Sequence, residues 1–259
     1  MKTSDIMHPD DAKALQMLRK IKGFDKLVRK FVEFVEEREF RGENLGDMVK
    51  VTDENFHELH ESFKRVVKVV GINEPELYIY NDPEMNAYTY GIENTFIAIS
   101  SGMLERMNRE ETECIIAHEC GHILCQHTFY TTLLLTLEKM GLFFEVITYT
   151  TLAPILMALH YWNRKSELSA DRCAAVVSGE RVFQQSMLKL ACGLREIKGS
   201  PYQLVEQARQ YNRFEKGSWW NRIQQNWRIA YNTHPQMVQR ALEIDRWKHS
   251  YMYRRLRNQ

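Results

Sequence analysis

The sequence predicts an α+β chain, predominantly helical, with a small antiparallel sheet laid over one long helix. Three observations carry this. Apolar residues recur at helical spacing through residues 1–71 and again from residue 108 onward. Between these regions, residues 72–100 break into short apolar or alternating pieces separated by turn chemistry. With 259 residues, 44% of them hydrophobic, the chain can bury a substantial core. No internal repeat, low-complexity tract or linker divides it, so one domain over 1–259 is expected.

In the N-terminal part, 1–71, helices are predicted over Ala12–Lys20, Phe24–Glu39 and Glu54–Val70. The last places Phe56, Leu59, Phe63, Val66, Val67 and Val70 at helical spacing, and Gly71 ends it. In 72–100 the strands are Glu76–Tyr80, Ala87–Tyr90 and Phe96–Ile99, separated by NDP and GIEN turns. Ser100 is placed to cap a short helix at Gly102–Arg106. Asn108 is placed to cap a long one over 108–128, whose first turn carries Glu110 and Glu111. Residues 129–162 form an apolar helical hairpin and 163–259 the C-terminal helices. Val146–Asn163 has no formal charge, which reaches the lower edge of a bilayer span of about 17–25 residues. Pro154, the threonines, and the nearby charges Glu138, Lys139 and Glu145 favour a buried or surface-docked hairpin. Membrane association through 129–162 is the alternative.

A net charge of +1 and a pI near 7.7 exclude a strongly basic nucleic-acid binder. The N-terminus, MKTSDIMHPDDAKALQMLRK, has no apolar h-region, so no secretory signal is expected. Five cysteines fit a reducing compartment, hence a cytoplasmic location, better than a disulfide framework.

The chemistry concentrates in AHECGHILCQH, Ala117–His127. On a helix, His118 and His122 project only about 40° apart and can converge on one ion. Glu119, about 100° round from His118, can reach a water beside that ion without ligating it. This is HExxH, with two imidazoles for zinc and a carboxylate as general base. Two histidines satisfied in a core are the plain competing interpretation. On a continuous helix His127 lies about 180° from His118, so it is expected to pack or hydrogen-bond rather than ligate. Cys125 and Thr128 stand where an HExxHxxGxxH pattern needs glycine and histidine. Cys114, Cys120 and Cys125 are expected as small buried hydrophobes. Downstream, NRKSELSADRCAA puts Glu167 and Asp171 one helical turn apart. Glu167 can complete a His₂Glu set for one zinc per chain, and Asp171 can accept the N–H of a ligating imidazole. Alone, the pair would be a solvated acidic face. Gly121 inside a helix makes sense if a neighbouring backbone or a substrate comes close there.

Together HECGH, ELSAD, NAYTYG at Asn86–Gly91 and THPQMVQR at Thr233–Arg240 resemble the M48 zinc metallopeptidases, gluzincins that include membrane-bound HtpX-like and small soluble members. The likeness runs from about His8 to Leu242. It implies a zincin-like fold and a zinc-dependent endopeptidase acting on a peptide or protein. By this likeness His118, His122 and Glu167 are the zinc ligands, Glu119 the general base and Asp171 the carboxylate behind a ligand. The likeness further implies that Asn86 contacts the substrate backbone, that His234 donates to the oxyanion, and that Arg240 belongs to the substrate side. Cys120 departs from the usual aliphatic residue, and no membrane helices precede the domain, so the small soluble members are the nearer likeness. An extended peptide is expected to add to a sheet edge at Phe96, Ile97 and Ala98. The rival expectations are a silent or latent M48-like binding module and a membrane-embedded protease using 129–162.

Other features are given plain assignments. His57 and His60 are read as an exposed helical face. Trp219, Trp220 and Trp227 are read as packing over the cleft, where they could occlude a resting site. The basic KHSYMYRRLRNQ is read as a solvated tail, with lipid contact as the alternative.

Overall fold

The computed structural model describes residues 1–34, 46–92, 94–141, 153–215 and 236–258. The chain opens with α1 (Thr3–Ile6), α2 (Pro9–Arg19) and α3 (Phe24–Phe34). Proline at the first position starts α2, and the His8 ring accepts the Asp10 N–H at 3.0 Å as its cap. Helix α4 (His57–Val70) buries Phe63, Val66, Val67 and Val70 and ends at Gly71, whose φ of 80° only glycine adopts cheaply. It begins later than the periodicity predicts. Asn55 accepts the Thr52 N–H at 2.7 Å in a turn, and Phe56 is left-handed and exposed rather than on the core face.

The sheet orders β1 (Val49–Lys50), β2 (Glu76–Tyr80), β4 (Phe96–Ser100) and β3 (Ala87–Tyr90) as β1-β2-β4-β3. It is mixed, which corrects the antiparallel expectation: β2 and β4 run parallel, while β3 and β4 are antiparallel. The reason lies in residues 81–86, which carry the chain past the β4 position to the far edge before it turns back. Ser100 fixes that crossing. It donates to the Glu84 carbonyl at 2.7 Å, and its backbone N–H donates to the Asn86 carbonyl at 2.9 Å. β1 is too short to leave a sequence signal. Strand β4 is therefore paired on both sides and buried throughout, so Phe96–Ala98 is not an edge. Among the described residues, the outer strands of the sheet are β1 and β3. Leu77, Ile97 and Ile99 face the main core, while Tyr78, Phe96 and Ala98 pack with Tyr88 and Tyr90 on the other face.

Helix α5 (Ser101–Arg106) is capped by Ser100, which accepts the Met103 N–H. Helix α6 (Arg109–Leu124) starts in a capping box between Asn108 and Glu111. The Glu111 carboxylate also takes the ammonium of buried Lys189 at 2.7 Å. From Cys114 to Gly121 α6 is buried on every side, as a central helix must be. It ends at Leu124, not 128: Gln126 has a φ of 58°, and α7 (His127–Gly141) leaves in a new direction.

Helix α8 (Ala153–Ser178) crosses α6, followed by α9 (Glu180–Cys192), α10 (Gln203–Glu215), α11 (Met237–Trp247) and α12 (Tyr251–Arg257). A β-carbon on Gly121 would lie 2.8 Å from that of Cys173 and 3.0 Å from the α-carbon of Ala170, so the crossing requires glycine. The described flanks of the hairpin are packed down. Leu133, Leu134, Leu137, Ile155, Leu159 and Trp162 form a second core with Ala14, Leu18, Phe24 and Phe31. Among the described residues, no helix is long and apolar enough to cross a membrane; residues 142–152 of the hairpin lie outside them. The predicted solvated tail is instead α12, docked through buried Leu256, while Arg257 donates to the Val176 carbonyl at 2.9 Å and so caps α8.

Replacing Gly121 by alanine should cost about 1–3 kcal/mol through overpacking, although alanine in an open helix gains about 1 kcal/mol; thermal unfolding of the two proteins measures the sign. Burial pushes the thiols of Cys114, Cys120, Cys125 and Cys173 above the ordinary cysteine range, whereas Cys192 is exposed. A colorimetric thiol reagent should therefore label Cys192 alone in the folded protein, and all five cysteines after denaturation.

Candidate active site

The crossing of α6 and α8 sets the histidines of one helix against the carboxylates of the other. His118 Nε2 lies 3.5 Å from Glu167 Oε2, His122 Nε2 lies 3.3 Å from Glu167 Oε1, and the two Nε2 atoms are 3.2 Å apart. One ligand atom from each residue falls within 4.8 Å of the others, so this group could hold a metal ion. The donor chemistry fits zinc, with two imidazole nitrogens and one carboxylate oxygen. Two ring nitrogens that both present lone pairs at this separation repel, and a shared cation removes the repulsion.

Each imidazole is held from behind. The Nδ1 of His118 lies 3.1 Å from Asp171 Oδ1. Arg240 in turn grips Asp171 with two bonds, Nε to Oδ2 at 2.8 Å and Nη2 to Oδ1 at 2.6 Å, and its Nη1 lies 3.1 Å from Glu167 Oε2. Burial would push the Asp171 carboxyl up, but Arg240 and His118 outweigh it and hold it below the usual carboxylate range. Arg240 is itself buried, balances the charge of these two carboxylates and also borders the cleft. The Nδ1 of His122 lies 3.0 Å from His127 Nδ1, and His127 Nε2 lies 3.0 Å from Asp11 Oδ2. His127 thus stands directly behind a candidate ligand. It hydrogen-bonds rather than ligates, as expected, and the break at Gln126 decides which residue it meets.

Glu119 lines the same cleft, a cavity of about 680 Å³ also bordered by Asn86, Tyr88, Thr131, His160 and Asn163. The hydroxyl of Thr89 on β3 donates to Glu119 Oε2 at 2.5 Å, leaving the other carboxylate oxygen without that bond. Asn86 sits exposed on the rim, at the start of the β3 edge. Of the expected peptide-binding strand, Phe96 borders the cavity, but Ile97 and Ala98 are buried inside the sheet. His234 and Trp219, Trp220 and Trp227 lie outside the described residues. His60 is taken up by Asp53, 2.8 Å from its Nδ1, and neither it nor His57 belongs to a metal-holding group among the described residues.

Sequence reasoning missed Thr89, Asp11 and the contact of His127, itself expected to hydrogen-bond, with a candidate ligand. Thr89 had one available signal, its alternation with Tyr88 and Tyr90, which turns it to the opposite face of the strand. The other two depend on a helix break and on a contact 116 positions apart in sequence, which no local pattern announces.

A model of peptidase family M48 matches residues 53–248. The plastoglobule-localized metallopeptidase 48 of Arabidopsis thaliana, a chloroplastic protein, is 30% identical over 97% of this chain and 74% of its own length. A protease HtpX homolog of Nitrosomonas europaea is 42% identical over 25% of this chain and 23% of its own. Protease HtpX of Thioalkalivibrio sulfidiphilus is 26% identical over 51% of this chain and 55% of its own. The HtpX likeness is thus partial, covering less than two thirds of those proteins. With a family model spanning most of the sequence and a relative matched along nearly all of it, the chain belongs to peptidase family M48.

Proposed function

We propose that this metallopeptidase is a zinc-dependent endopeptidase. The observation that carries the proposal is the convergence of His118, His122 and Glu167 within 4.8 Å at a cleft that also holds Glu119 and is lined by the outer strand β3. His118, His122 and Glu167 would hold the ion. Zinc, when bound, supplies Lewis acidity that polarises a carbonyl and lowers the pKa of a water to about 7.

The chain's own residues do the rest. Glu119 takes a proton from the attacking water and returns it to the leaving amine. Thr89 occupies one of its oxygens, so the other is directed to that transfer. A substrate in extended form pairs with the backbone of β3, because β4 has no edge to offer. Asn86, at the start of that edge, is placed to receive the substrate backbone. His234 is retained as the oxyanion donor on the family resemblance alone. Arg240 pairs with Asp171 and Glu167 and balances their charge in a buried site. The substrate class is a peptide or protein rather than nucleic acid, in keeping with a net charge of +1. The five cysteines support a reducing compartment such as the cytoplasm. A silent binding module has no use for an assembled ligand set with the general base beside it.

Two measurements test the proposal. Elemental analysis of the purified chain should find about one zinc per chain and almost none after His122→Ala combined with Glu167→Ala; zinc retained by that double variant would place the metal elsewhere. Glu119→Gln should keep zinc and the melting temperature but lower kcat on casein or a peptide mixture by about 10²–10⁴-fold, since an amide cannot accept the proton. Activity equal to wild type would move the protein to the binding-module class.

A further inference from the structure

We propose that Asp11, on the N-terminal helix α2, is a positioning residue of the metal centre that acts through His127 to set the ring of His122. The inference rests on the zinc assignment above and extends it to a part of the chain outside the family match, which begins at residue 53.

Asp11 is fully buried, and three donors from other helices converge on its carboxylate. Ser169 Oγ donates to Oδ2 at 2.5 Å, Trp162 Nε1 donates to Oδ1 at 3.0 Å, and His127 Nε2 meets Oδ2 at 3.0 Å. A carboxylate has no proton to give, so the proton of the last contact sits on His127 Nε2. In the neutral ring, Nδ1 of His127 is then an acceptor, and what faces it at 3.0 Å is Nδ1 of His122. His122 must therefore carry its proton on Nδ1. Its Nε2 lone pair is left on the side of Glu167 Oε1, 3.3 Å away, and of His118 Nε2.

Every bond in this chain points the same way, and only the acidic end makes it so. An acceptor-only group fixes which nitrogen of each ring holds hydrogen. With an amide in its place, the bonds could run in either direction, and His122 could present N–H to the ion. The arrangement parallels the direct Asp171 contact to His118, with one histidine inserted, and here the carboxylate comes from a helix more than a hundred residues upstream of its ligand. Ser169 and Trp162 keep the Asp11 carboxylate in place.

The test is zinc affinity of the full chain, measured by competition with a chromophoric chelator, and the ligand-field spectrum of the cobalt-substituted protein. Asp11→Asn is nearly isosteric and should weaken zinc binding about 10–100-fold, the loss typical of removing a group that orients a ligand, with a shifted cobalt spectrum. His127→Gln should give the same loss, and serves if the aspartate variant does not fold. Combining the two should cost no more than His127→Gln alone, because they act along one path. Leu18→Ala opens the apolar core beside α2 without removing a member of this hydrogen-bonded chain. It should lower the melting temperature while leaving zinc affinity within about threefold of wild type. Wild-type affinity in both Asp11→Asn and His127→Gln would overturn the proposal, as would an equal loss in all three single variants, which would mean packing alone. A wild-type chain that binds no zinc would overturn the metal assignment and this inference together, and it would show before any variant is made.

Discussion

The site depends first on how closely two helices approach. Where α6 and α8 cross, Gly121 has no β-carbon because Cys173 and Ala170 already fill the space one would need. That approach lets a single carboxylate, Glu167, reach both Nε2 atoms of the other helix. A larger residue at 121 would not merely loosen the core. It would separate donors whose chemistry is useful only at a few ångströms, so packing density and metal geometry are one constraint here.

The second constraint is charge. Glu119, Glu167, Asp171 and Asp11 are all buried, and Arg240 is paired with two of them. Carboxylates gathered away from water raise one another's energy unless cations or donors compensate. Arg240 does so for Asp171 and Glu167, while Thr89 and the Ser169–Trp162–His127 set supply hydrogen bonds to Glu119 and Asp11. A divalent cation held by His118, His122 and Glu167 would add to this balance, in a field the fold has prepared.

Much of this was legible in the sequence, and what was legible was local. Helical and strand periods located α4, β2, β3 and the caps of α5 and α6 to within a few residues, because spacing and capping chemistry act between near neighbours. HExxH and the Glu167/Asp171 pair were recognisable for the same reason. Strand order was not. Nothing in Phe96–Ser100 says that β4 slides between β2 and a hairpin partner already at the edge, and the parallel pairing follows only from the crossing at residues 81–86. The helix break at Gln126 was invisible because glutamine is an ordinary helix residue, and with it went the place of His127. The C-terminal basic run misled because two of its arginines bond within the fold, Arg257 to the carbonyls ending α8 and Arg255 to Asp5.

Strand β3 is only four residues long, and it closes a sheet whose other exposed margin, β1, has two. An open margin is a standing invitation for identical molecules to join backbone to backbone, and shortness is one way natural sheets refuse it. Four residues can register an incoming peptide over a few bonds, yet they give two copies of the chain too little ladder to zip into a continuous ribbon. The same brevity that suits a short peptide would thus disfavour polymerisation of the chain through this strand.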